Sequence, residues 1–212
     1  MLKEVYCTPE FFAAPKDNPG FHQLLGLARI TNTIRFAHGA VVRVEQETSP
    51  ADERQRLSSF LYLAALLFEA LKLSRTVGKH FQDFSSFRNG FAKLHSDPDV
   101  EELRTNVLDR IRNTAVFHLD QGVIPTGLEL LQPLTEFVFL SARDLSNGEI
   151  YYRLADQAVV HYIVGDSADT PEFTEKFKSI LQRTTDLSIR FSACADELIT
   201  EYLISHSWSV RQ

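Results

Sequence analysis

The side chains with the clearest capacity for chemistry gather in one run, Arg112-Asn113-Thr114-Ala115-Val116-Phe117-His118, with Asp120 just beyond. A histidine titrates near neutral pH, so His118 can take a proton from a ribose 2′-hydroxyl or return one to a leaving oxygen. The guanidinium fork of Arg112 suits the non-bridging oxygens of a phosphate and the extra charge of the transition state. Asn113, directly beside it, can orient either partner. Together the three suit cleavage of an RNA phosphodiester, a division of labour that needs no metal. Asp120 could orient His118, although a carboxylate at a loop start is the plainer reading. The structural alternative for the whole run is that Arg112 pairs with Asp109 and that His118 is a satisfied core histidine.

Other chemistries leave no trace in the chain. Neither G-x-G-x-x-G nor G-x-x-x-x-G-K-[ST] occurs, so no Gly-rich loop is built to cradle a phosphate. There is no G-x-S-x-G elbow and no H-E-x-x-H pair. The seven histidines lack ligand spacing and no helical E-x-x-H array is present, which argues against a metal centre. No cofactor is implied.

The run must be carried by an element, and the stretch from Asp97 to Asp120 reads as a capped helix. Ser96 or Asp97 serves as N-cap, Pro98 sits at the first position, and Asp99 and Glu101 lie in the first turn. Val100, Leu103, Val107, Ile111 and Thr114 recur at steps of three and four, and His118 continues their stripe. Before this element, the pattern predicts an irregular arm over 1–19 with Pro9, Pro15 and Pro19 as breakers, then a helix from Phe21 to Val44. Ser49-Pro50 opens a further helix through Leu57, Phe60, Leu61, Ala64, Leu67, Phe68 and Leu71, ending near Gly78. A shorter helix is expected over Phe84–Leu94. Beyond Asp120 follow a turn-rich passage, a helical segment around Leu128–Leu134, a small β-hairpin near 137–153, a helix over Leu154–Val164 and a long helix from about Pro171 to Ser207. The expectation is all-α: a helical bundle with a possible small β-hairpin, forming a single domain over 1–212.

Of the 212 residues 44% are hydrophobic and 24% charged, ordinary values for a soluble globular chain. The net charge of −6 excludes a uniformly basic surface, so any nucleic-acid contact must be local. Arg104, Arg110, Lys72, Arg75 and Lys79 are the cations that could form such a patch. Cys7 and Cys194 make neither a disulfide framework nor a zinc site, which points to a reducing cytoplasm. The first residues lack the apolar core of a signal peptide. Phe60–Leu73 is interrupted by Glu69 and Lys72 and reads as a buried helix rather than a membrane span.

An Arg-Asn step followed by a histidine near a helix end, within a helical chain, resembles the HEPN superfamily. That hallmark is an arginine, four to six residues, then histidine, often with a polar residue after the arginine. Arg112, Asn113 and His118 match it with five residues between arginine and histidine. The resemblance implies a metal-independent endoribonuclease of a toxin–antitoxin, antiphage or RNA-processing system. Its site would form where two motif copies meet in a homodimer, with RNA as substrate and an antitoxin or regulatory protein as partner. It equally admits a non-catalytic helical module that binds a protein or nucleotide. Two other stretches fit the spacing: Arg75…His80 and Arg88-Asn89…His95. The second is the rival pair; the first reads as a solvated helix end. On an ideal helix, positions six apart lie roughly 120° apart, so Arg112 and His118 share a site only if the helix loosens or a second subunit completes it.

Overall fold

The computed structural model describes residues 4–6, 18–43, 50–116, 121–130, 139–140, 151–165, 171–205 and 209–211. The fold class is all-α. Helix α1 (Pro19–Arg43) begins two residues earlier than the periodicity predicts. Pro19 is its first residue rather than a breaker, and the Asn18 side chain accepts from the backbone N–H of Gly20 and Phe21 at 3.0 and 3.3 Å. Leu24, Leu27, Ile34, Ala37 and Val41 form its buried stripe.

Helix α2 (Pro50–Phe81) is the central element. By length and composition alone it is apolar enough to cross a membrane. Here Phe60, Leu63, Leu67 and Leu71 are fully buried in the protein's own core. The helix ends at Phe81, just past the Gly78-Lys79-His80 end that the sequence predicts. The ring of Phe87 lies over Gly78, and a Cβ there would stand 2.5 Å from it, so the glycine also admits a close approach.

The expected Phe84–Leu94 helix is two short ones, α3 (Ser85–Asn89) and α4 (Phe91–Ser96), divided at Gly90. Phe91 and Leu94 are buried as expected, whereas Phe87 packs from the margin. Helix α5 (Pro98–Leu103) follows, and the helical path then widens into π-turns over Arg104–Leu108 and Ile111–Val116. Helix α6 (Val123–Leu130) already occupies the passage predicted as turn, with Pro125 inside its first turn, where a missing N–H costs nothing. Helices α7 (Arg153–Val164) and α8 (Pro171–Ser205) complete the set.

Two minimal antiparallel ladders join β1 (Glu4–Tyr6) to β4 (Ser209–Arg211) and β2 (Phe139–Leu140) to β3 (Tyr151–Tyr152). The turn of the expected 137–153 hairpin lies outside the described residues, as does most of the expected 1–19 arm.

Helices α1 and α8 run antiparallel. Phe21 stacks near Tyr202, Arg35 pairs with Asp196, and His38 meets Ser188, so ascending numbers on one meet descending numbers on the other. Tyr202 is a core residue, surrounded by Phe21, Phe81 and Phe84. Phe60, Phe91, Phe191, Ile111 and Leu198 close one contiguous core between these helices and α2. Burying side chains of this size contributes about 1.5–3 kcal/mol each.

Candidate functional site

The entry into the site element is built as its sequence predicts. Asp97 accepts from the Asp99 N–H at 3.0 Å as N-cap, and Pro98 opens α5. Its first turn is then held by arginines, three from other helices and Arg104 from its own path. Arg190 of α8 donates to Asp97 at 2.6 Å and, with the cap bond, holds that carboxyl below its ordinary range. Arg104 and Arg75 both donate to Glu101, whose pKa falls to about 2, Arg104 being the larger cause. Arg183 pairs with Glu102 and also donates to the Asp99 carbonyl at 3.1 Å.

Farther along, the sequence stripe and the structure part company. Val107 and Leu108 are both buried, and they lie in the π-turn Arg104–Leu108, where the path takes in an extra residue per turn. The chain here is rich in β-branched residues (Thr105, Val107, Ile111, Thr114), which hold an α-helix weakly. Past Ile111, Ala115 and Val116 pack against the core, and Thr114 is half-buried like them. Thr114 turns its hydroxyl back to the Arg110 carbonyl. The helix therefore does loosen beyond Arg112.

Arg112 and Asn113 are half-buried within the second π-turn. Arg112 does not pair with Asp109, as its spacing suggests. Its Nε donates to Glu69 Oε1 on α2 at 2.8 Å, and Nη1 donates to Asn113 Oδ1 at 2.6 Å. It is the Asn113 Nδ2 that donates to Asp109, at 2.8 Å. A chain of three hydrogen bonds thus runs Glu69–Arg112–Asn113–Asp109 across two elements. The Arg110 guanidinium lies 4.0 Å from the centre of the Tyr162 ring of α7. His118 and Asp120 lie outside the described residues.

The rival pair is not assembled in the same way. Arg88 is exposed on α3, whereas His95 is half-buried and turned to α2, with Nε2 3.0 Å from Ser74 Oγ and its ring stacked near Phe91. Ser74 Oγ also donates to the Leu71 carbonyl at 3.0 Å. Burial, then the nearby Arg75, then Arg104, lower the His95 pKa to about 4 against the opposing pull of Glu101. That histidine is neutral at physiological pH. Arg75 and His80 are both exposed, as a solvated helix end would be, although Arg75 holds Glu101.

Of the cations considered for a substrate patch, Arg75 and Arg104 converge on Glu101, Arg110 lies over Tyr162, and Lys72 and Lys79 are exposed on α2. Among the described residues no group of three or more His, Cys, Asp or Glu is arranged to hold a metal ion. Glu69 is the site residue that the sequence reading passed over. Its one signal was a carboxylate interrupting the most apolar run of the chain. Compared with known proteins, the chain matches no family model, no curated protein and no solved structure.

Proposed function

We propose that the chain is a metal-independent endoribonuclease of HEPN type, in a toxin–antitoxin, antiphage or RNA-processing system. In this reading residues 1–212 form one helical bundle that works as a cytoplasmic homodimer. The observation that carries the proposal is the half-buried Arg112–Asn113 pair, anchored at both ends by Glu69 and Asp109. Its position in a π-turn adds support, since such distortions of a helix concentrate at functional sites.

The chemistry assigns Arg112 to the phosphate and His118 to proton transfer. A ribose 2′-oxygen attacks the adjacent phosphorus and gives up its proton to a His118 imidazole. The 5′-oxygen leaves with a proton returned from an imidazolium, so a cyclic phosphate and a free 5′-hydroxyl result. Arg112 neutralises charge gathering on the non-bridging oxygens, and Asn113 keeps its guanidinium in line. A homodimer supplies two copies of His118, one as base and one as acid.

A second reading rests on the same contacts. Glu69 matches the charge of Arg112 within one subunit, and acidic residues outnumber basic ones, 28 to 22. Both features suit a non-catalytic helical module that binds a protein or nucleotide in a defence or regulatory system. Purified natural chain, Arg112→Ala and His118→Ala, incubated with RNA and EDTA, separate the two. The nuclease reading expects cleavage that both substitutions lower by at least about 10²-fold while helix content is unchanged. Intact RNA with the natural chain, in vitro and in cells, would leave the binding module.

A further inference from the structure

We infer that Glu69 fixes the direction of the Arg112 guanidinium and so acts as a positioning residue, an inference that rests on the phosphodiester reading above. Glu69 sits on the central helix between Phe68, packed against the core, and Ala70, fully buried. About one-third of the Glu69 side chain stays exposed, and its carboxylate is turned to a cation rather than left to water alone. Arg112 is that cation at 2.8 Å. The pair crosses between elements far apart in sequence, so it is not a local helix contact.

The geometry goes beyond a simple ion pair. A guanidinium is planar, and two contacts on different nitrogens set both its plane and its direction. Glu69 holds Nε and Asn113 Oδ1 holds Nη1. Asn113 has no freedom to flip, because its amide nitrogen is engaged by Asp109 at 2.8 Å. Arg112 is thereby braced from α2 on one side and from its own helix on the other. A phosphate-holding arginine set in this way meets its substrate already aligned, which is what lowers a barrier that depends on orientation. Of the two anchors Glu69 is the decisive one. Asn113 and Asp109 move with the π-turn that carries Arg112, whereas Glu69 belongs to the element against which that turn is placed.

The test uses the full chain in two measurements. The first follows the Arg112 Nε–H signal by ¹⁵N NMR, assigned by its loss in Arg112→Lys. Slow exchange of this proton in the natural chain, retained in part in Glu69→Gln and lost in Glu69→Ala, is expected. The second measures kcat and KM for cleavage of a mixed-sequence single-stranded RNA in EDTA. Glu69→Ala should lower kcat about 10²-fold with KM changed only a few-fold, and Glu69→Gln, which keeps an acceptor for Nε, should lose less. Unchanged Nε–H exchange in Glu69→Ala overturns the inference, and so does an unchanged kcat. If the natural chain leaves RNA intact, the nuclease reading falls, and the NMR comparison alone supports or overturns the orienting role.

Discussion

Protonation of His95 tests which arginine–histidine pair of this chain is available for chemistry. Its pKa lies near 4 in the folded protein because the ring is withdrawn from water and Arg75 and Arg104 outweigh Glu101. In the unfolded chain an ordinary histidine titrates near 6.5. The folded value is depressed for a base, so the unfolded chain takes up a proton first as pH falls. Stability is therefore full above about pH 6.5 and drains away between 6.5 and 4. At pH 5 the full shift would cost roughly 2 kcal/mol relative to pH 7. Because the ring is only half-buried, solvent screening reduces this to about 1 kcal/mol. Urea denaturation at pH 7 and 5 measures the loss, and His95→Gln, which cannot titrate, should lose about 1 kcal/mol less across that interval. The C2 proton of His95 supplies the direct value by NMR. A midpoint at or above 6 would refute the argument from burial and return Arg88/His95 to contention.

Three further outcomes follow from other contacts. Glu201 of α8 accepts from the backbone N–H of Ser86 at 2.7 Å and from Ser85 N–H at 3.0 Å, supplying the cap that Phe84 cannot. Hydrogen bonds from Ser86 and Ser85 lower its pKa to about 2, so its contribution is present above about pH 4.5 and lost as pH falls toward 2. Glu201→Ala should cost about 1 kcal/mol at pH 7, after allowance for its contact with solvent, and much less at pH 3, by chemical denaturation. Gly127→Ala places a Cβ 1.9 Å from the Ala158 carbonyl oxygen of α7, a backbone atom that no rotamer change can move. A loss of at least about 2 kcal/mol is expected in thermal unfolding, and a neutral result would show that α6 and α7 do not cross so closely. Phe191→Ala empties the middle of the core, where the ring meets Phe91 edge-on at 5.3 Å. Denaturation should show a loss of about 3–5 kcal/mol with no change in the Arg112 Nε–H signal.

The amino-acid pattern by itself determined the helical class and much of the path. The stripe Leu24, Leu27, Ile34, Ala37 and Val41 lies inward on α1 because every three or four residues returns to one face. Asp97 and Pro98 are legible as the start of α5 because an N-cap and its proline act within a few residues. Where the sequence reading and the structure differ, the deciding contact comes from a distant part of the chain. Gly78 marks the last turn of α2 from the sequence, but only the structure shows the Phe87 ring set upon it. Arg112 reads as a partner of Asp109 because a pattern within one helix sees only neighbours. Its partner, Glu69, stands 43 residues away on α2. The π-turns have a local contribution, since the β-branched Thr105, Val107, Ile111 and Thr114 hold an α-helix weakly, but no spacing in the sequence places the turns themselves. Residue types and spacing thus named the chemistry to look for, while tertiary packing decided which carboxylate orients the arginine.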